Sequence, residues 1–291
     1  MRGSQTMKAR GWTWAAAALG ALAAAAVEAG TVPEALTFGV FADPQHGERE
    51  AAGSRFYRDS PAKLAECIQA FARAKPAFVI CLGDMVDGTS RDRDTEMRHL
   101  KTIEDLFRRF DGPRYHVLGN HDLDAFTKDE FLKATGMPAP HYAFDAAPFR
   151  CIVLDACYAK GFVPYARGNF AWTDSWVPPD QLTWLEAELK KAGGKALVFT
   201  HQPLDGADVH SPRNAADVRR ILEDSGKVLA VFSGHNHKGG FRKVRGIPYF
   251  TICGMVEGPG VENNAYALVT VSPAGGIRIQ GFGAQPSSTR E

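Results

Sequence analysis

The sequence has no surplus of either charge: 34 Lys and Arg stand against 33 Asp and Glu in 291 residues. With a formal net charge of +1 and a pI near 7.7, nothing points to nucleic acid or an anionic membrane as the main partner. Cysteine is scarce and irregular. Cys67, Cys81, Cys151, Cys157 and Cys253 are odd in number and unevenly spaced, which argues against a disulfide framework. Cys81, Cys151 and Cys253 sit inside apolar runs, where cysteine acts as a small buried hydrophobe. Export would still permit one bridge. Internal repeats are absent. Membrane-length apolar runs are absent too, and the one long apolar stretch is at the N-terminus.

There, Arg2, Lys8 and Arg10 precede an Ala/Leu run to Val27, and Val27-Glu28-Ala29 supplies small residues in an A-x-A-like pattern. The pattern reads as a secretory signal peptide over residues 1–29, cleaved near Ala29, so the protein is expected to be exported, periplasmic or secreted. The run is short and Ala-rich for a membrane span, and a retained anchor is the alternative reading. Removing residues 1–29 takes away three basic side chains and one acid, moving the formal charge from +1 to −1. The remainder fits one large domain, residues 30–284, with a polar tail, 285–291, expected to be disordered.

Apolar periodicity alternates between strand and helix. Strand-like runs lie at 36–42, 78–82, 115–118, 141–144, 150–154, 196–199, 228–232, 240–244, 247–252, 265–271 and 276–279. Helical spacing marks Leu64, Ile68 and Phe71; Met97, Leu100, Ile103, Phe107 and Phe110; Leu182, Leu185 and Leu189; and the segments 127–135 and 215–223. Residues 156–178 form an irregular stretch rich in aromatics, suited to stacking a base or covering a site. Alternating elements early and hairpin-like strands late predict an α/β or α+β fold with a mixed sheet or two packed sheets and helices outside.

Five polar motifs follow strand-like runs in order: Asp43-Pro44-Gln45, Gly83-Asp84-Met85-Val86-Asp87, Gly119-Asn120-His121-Asp122, Thr200-His201 and Gly234-His235-Asn236-His237. Sites in such folds gather beyond the carboxyl ends of strands. Carboxylates at two strand ends need strong partners, and neutral imidazoles beside them suit divalent Zn, Fe or Mn. In an extended segment His235 and His237 point the same way, as do Asp43 and Gln45, with His46 turned away. Gly83, Gly119 and Gly234 permit close approach of backbone to a ligand. His99, His116, His141 and His210 are taken as structural.

The order D-x-[H/Q], GDxxD, GNHD, H, GHxH resembles that of the calcineurin-like metallophosphoesterase superfamily, across nearly all of the chain after residue 29. The resemblance implies a four-layer αββα sandwich and two divalent cations. Asp43, Gln45 and His237 would hold the first, Asp84 would bridge both, and Asn120, His201 and His235 would complete the second. His121 would serve the leaving oxygen, oriented by Asp87. Two such cations about 3.5–4 Å apart share and activate a hydroxide for in-line attack and polarise phosphoryl oxygens.

Most of that superfamily carries His where this chain has Gln45. A carboxamide oxygen is a harder donor, which moves the preference towards Mn, with Fe or Zn as alternatives. D-x-Q is similar to the manganese-dependent ADP-ribose/CDP-alcohol diphosphatase group, as are Arg55-Phe56-Tyr57-Arg58-Asp59-Ser60, Val153-Leu154-Asp155, the 181–185 segment, the 234–240 segment and Gly254-Met255-Val256-Glu257. By that resemblance the substrate is a phosphate ester or nucleotide diphosphate whose phosphoanhydride or phosphodiester bond is hydrolysed. Arg55 and Arg58 suit a second phosphate, and His46 a contact to a ligand or the substrate. A broad phosphomonoesterase and a cyclic-nucleotide phosphodiesterase are the enzymatic rivals. A scaffold that has lost catalysis is disfavoured, because every ligand position keeps a suitable side chain.

Overall fold

The computed structural model describes residues 35–206 and 208–290. The expected signal peptide, residues 1–29, lies outside the described residues. Among the described residues, fourteen strands and five α-helices follow in chain order: β1 Leu36–Phe41, α1 Ser60–Ala74, β2 Val79–Cys81, α2 Arg93–Phe107, β3 Arg114–His116, α3 Lys128–Thr135, β4 Tyr142–Ala146, β5 Phe149–Val153, β6 Tyr158–Ala159, β7 Val163–Pro164, α4 Pro179–Lys191, β8 Ala196–Phe199, α5 Ala215–Ser225, β9 Val228–Ser233, β10 Gly240–Val244, β11 Ile247–Thr251, β12 Ala265–Val271, β13 Ile277–Gly283 and β14 Ser288–Arg290. Local chemistry sets several boundaries. Asp92 caps α2 by accepting from Thr95 N at 2.9 Å, Thr127 and Glu130 form a reciprocal capping box on α3, and Gly136 ends α3 in the left-handed region.

Two six-stranded sheets form, in the orders β14-β13-β12-β1-β2-β3 and β10-β11-β9-β8-β5-β4. In the first, β1, β2 and β3 run parallel; in the second, β5, β8, β9 and β11 do. The pleat sorts the side chains of the second sheet. Leu197, Phe199, Ala230 and Phe232 face the first sheet, whereas Val198 and Val231 pack with Leu185 and Leu189 of α4 and Val218 and Leu222 of α5. Leu64, Ile68 and Phe71 of α1 and Leu100, Ile103 and Phe107 of α2 join the first core. The result is the four-layer αββα sandwich.

Phenylalanines lock the sheets together. Phe38 stacks on Phe78 with centroids 5.0 Å apart and meets Phe199 and Phe232 edge-on at 5.6 and 5.3 Å. This pins the starts of β1 and β2 against the carboxyl ends of β8 and β9. All five cysteines are free and buried. Among the described residues, no helix is long and apolar enough to cross a membrane.

The irregular stretch 156–178 contains the short β6–β7 hairpin. The expected disordered tail is a correction: β14 pairs with β13, Gln285 is buried, and its Oε1 accepts from Cys253 N at 2.8 Å. Backbone pairing on an edge strand needs no apolar periodicity, so a Ser/Thr-rich tail gives no strand signal. Gln285→Ala is expected to cost about 1–3 kcal/mol in urea unfolding, because the buried Cys253 N–H loses its acceptor. A tail without structure would make that substitution silent.

Candidate metal centre

The loops after β1, β2 and β3 lace together and deliver the acids. Asp43 N donates to Gly83 O, Gln45 N to Asp84 O and His46 N to Met85 O, at 2.9–3.1 Å. Asp43, Gln45, Asp84 and His235 all sit at positive φ, between 43° and 65°. The extended-segment argument therefore fails for both motif pairs: left-handed turns, not strand alternation, aim these side chains. Such backbone costs of order 1 kcal/mol or more per residue and persists where the surroundings over-determine it. Gly119 packs so closely on Asp84 that a Cβ there would collide with its carboxylate and backbone.

Asp84 is fully buried at the centre. Its Oδ2 lies 3.2 Å from His201 Nε2 and accepts from Gln45 Nε2 at 3.1 Å, while its Oδ1 accepts from His121 N at 2.8 Å. Asp43 Oδ1 lies 3.5 Å from His237 Nε2, and its Oδ2 accepts from His235 N at 3.0 Å. His201 Nε2 is 3.2 Å from both Asn120 Oδ1 and His235 Nδ1, and its Nδ1 donates to Leu82 O at 2.7 Å. That bond turns Nε2 towards Asp84, Asn120 and His235.

All seven expected ligands therefore converge on one site. Ligand atoms of Asp84, His201 and His235 lie within 4.8 Å of one another. Gln45 Oε1 and one ring nitrogen of His235, Nε2, are buried without a hydrogen-bond partner. Two carboxylates, three imidazoles, a carboxamide oxygen without a partner and Asn120 fit a pair of divalent cations. The electrostatics agree. Burial opposes charge on His201 and His237, yet Asp84 raises the first to about 9 and Asp43 the second to about 9. His235 is driven well down by burial and by the His201 charge. Divalent cations at these acids would displace such protons.

Two carboxylates without an expected role support the ligands. Glu257 accepts from His237 Nδ1 at 2.6 Å, fixing the ring, and that bond draws its own pKa down to about 2. Buried Asp122 accepts from the backbone N–H groups of Asp84, Met85 and Gly119 at 2.7–3.0 Å, tying two ligand loops together. Both residues stand inside motifs read from the sequence, but only the fold shows which groups they reach.

His121 opens onto the cleft as expected, and its orientation is a correction. Its Nδ1 donates to the backbone carbonyl of Asp87 at 2.8 Å and to Asp124 Oδ2 at 3.0 Å. The Asp87 carboxylate is held instead by Arg49 at 2.8 Å and by the Thr89 hydroxyl. Although burial alone would lower it, the charges of Asp84 and Asp124 keep His121 raised to about 9, which favours a donor form near neutrality.

The cleft, about 210 Å³, is lined by Gln45, Arg55, Asp84, Asn120, His121, Trp172, His210, His235 and His237. Arg55 is thus placed at the site, with Nε 3.8 Å from Glu257. Arg58 is not: its guanidinium pairs with Glu48 and Glu50 on the surface. His46 is not a substrate contact either; it is buried, donates to Tyr57 O at 3.2 Å and packs on His99. His99 and His116 are structural, paired with Glu96 and Glu104. His210, structural by its sequence context, instead lines the cleft with Trp172, its ring centroid 5.6 Å from that of His235. The sequence around His210 carries no periodicity that would have flagged it.

A four-layer sandwich with paired acids, imidazoles and a carboxamide at adjoining strand ends defines a metal-dependent phosphoesterase. The chain belongs to the calcineurin-like phosphoesterase family, whose model matches residues 36–239. It is similar to the manganese-dependent ADP-ribose/CDP-alcohol diphosphatases of Oryza sativa, 26% identical over 81% of this chain and 88% of that one, and of Danio rerio, 27% identical over 77% and 88%. Among solved structures it resembles a dimetal phosphatase from Danio rerio, with a TM-score of 0.77 and 24% identity over 87% of this chain and 98% of that one.

Because Asp124 rather than the Asp87 carboxylate contacts His121, Asp124→Asn is expected to lower kcat about 10- to 100-fold with little change in KM, within the span of lost general-acid catalysis. Asp87→Asn should cost less. Steady-state kinetics on both variants checks the order, and a larger loss in Asp87→Asn would contradict the assignment.

Proposed function

We propose that this protein is an exported, manganese-using hydrolase of the phosphoanhydride or phosphodiester bond of nucleotide-type substrates such as ADP-ribose or a CDP-alcohol. The observation that carries the reading is Gln45. Its carboxamide lines the cleft where most of the family is expected to carry imidazole, with Nε2 3.1 Å from Asp84 Oδ2 and 3.2 Å from His237 Nε2 and with Oε1 buried without a partner. That hard oxygen donor favours manganese. The names of the Oryza sativa and Danio rerio relatives support the same metal and substrate class.

Bound there, two divalent cations would supply activated water and polarise the phosphoryl oxygens. The residues of the chain do the rest. Asp84 presents its carboxylate to the cleft, and the Asp43 carboxylate sits behind it against His237. His121 keeps a proton for the leaving oxygen, steadied by Asp124 and the Asp87 carbonyl. Arg55, on the rim beside Glu257 and His237, is positioned for the phosphate that does not react. Trp172, 42% exposed at the mouth, offers a ring to a base.

Turnover of ADP-ribose and CDP-choline with added Mn should exceed that of p-nitrophenyl phosphate and bis-p-nitrophenyl phosphate. Chelation should abolish activity and Mn should restore it. Fast monoester hydrolysis with no attack on ADP-ribose would establish the phosphomonoesterase rival instead.

Export rests on the basic start, the Ala/Leu run and Val27-Glu28-Ala29. Expressed in full in a bacterial host, the protein is expected in the exported fraction with a new N-terminus near Gly30, read by Edman sequencing. Intact protein confined to the cytoplasm would refute export.

A further inference from the structure

One buried cation belongs to no part of the chemistry described so far. Lys63, on the first turns of α1, is completely buried. Its ammonium donates to three backbone carbonyls of one loop: Met255 O at 2.9 Å, Glu257 O at 2.8 Å and Gly258 O at 2.6 Å. An ammonium has three protons, and all three are used. Burying a lysine is unfavourable unless every donor is matched, so the match to a single loop is a specific feature of the fold.

That loop touches two expected ligands of the first cation. Met255 N donates to Ala42 O and Val256 N to Asp43 O, holding the strained turn on which Asp43 sits. Gly254 N donates to His237 O, and a Cβ on Gly254 would meet the His237 ring at 2.7 Å. The Glu257 carboxylate receives the His237 Nδ1 proton. Lys63 itself lies behind the loop, absent from the residues that line the cleft.

We propose that Lys63 is a positioning residue for the cation site formed by Asp43, Gln45 and His237, acting through the 254–258 loop and the Glu257 carboxylate. It holds the loop carbonyls so that Glu257 stays on His237 and Val256 stays on Asp43. The inference rests on reading the cleft as a two-cation centre, and the two fail separately in the following experiment.

Metal-stripped protein is titrated with Mn(II), free ion being followed by electron paramagnetic resonance. Wild type should bind two ions; fewer than two overturns the two-cation reading and this inference with it. Lys63→Met keeps the stem and removes the donors. It should weaken one of the two ions about 10- to 100-fold, the range seen when support of a ligand is lost. The other ion should stay close to its wild-type affinity, and kcat at saturating Mn should fall far less than affinity does. Glu257→Gln should weaken the same ion, and the double variant should lose less than the two single losses combined, because both act on one contact. Unchanged affinity for both ions in folded Lys63→Met protein overturns the proposal, as do fully additive losses, which would mark separate structural roles. Should circular dichroism show Lys63→Met unfolded, Lys63→Arg carries the test. It keeps the charge but cannot converge on three carbonyls, so the same ion should weaken several-fold; wild-type affinity there overturns the proposal.

Discussion

The Asp84 carboxylate is the constraint around which the site is organised. A buried anion is costly unless charges and hydrogen bonds surround it. Here the surroundings are the His121 backbone N–H, the Gln45 carboxamide and the His201 ring, all within 3.2 Å. Burial by itself would raise its pKa; His201 and His121 more than reverse that and hold it far below the ordinary carboxylate range. Asp43 repeats the arrangement on a smaller scale with His237 and the His235 N–H. The same two acids that raise the His201 and His237 pKa values are the groups divalent cations would neutralise.

Holding that arrangement together requires both sheets. Asp43, Asp84 and Asn120 follow β1, β2 and β3 of one sheet, whereas His201, His235 and His237 follow β8 and β9 of the other. Distances between acids and imidazoles are therefore set by sheet-on-sheet packing, in which Phe38 near the start of β1 and Phe78 just before β2 interlock with Phe199 and Phe232 near the ends of β8 and β9. Asp122 adds a local tie between the loops after β2 and β3, and the 254–258 loop adds another between Asp43 and His237. Left-handed backbone at four ligand positions is tolerated because these ties leave it no cheaper alternative.

Much of this was legible because burial imposes period. Stripes such as Leu64, Ile68 and Phe71 marked helices, and runs such as Val228–Phe232 marked strands, since both must hide one face or two. The ligands were legible because their motifs follow those runs. Most of the misreadings share one cause, the direction of side chains outside the regular strands and helices. Gln45 and His235 reach the cleft through left-handed turns, although an extended segment was assumed. The Asp87 carboxylate turns to Arg49 and leaves Asp124 to contact His121, and Arg58 pairs with Glu48 and Glu50 while His46 turns inward to Tyr57 O. His210 and the tail were missed because neither an irregular loop nor a polar edge strand carries apolar periodicity.

By itself the sequence determined the layered α/β architecture, the identity of the donor atoms and the departure at Gln45, because residue type and apolar spacing are one-dimensional properties. Only the tertiary structure decided which oxygen fixes each imidazole. Asp124 lies three residues from His121, but Glu257 and His237 are twenty apart, and Lys63 grips carbonyls nearly two hundred residues away. Such contacts depend on turn conformation and on the packing of one sheet against the other, which no local pattern in the chain encodes.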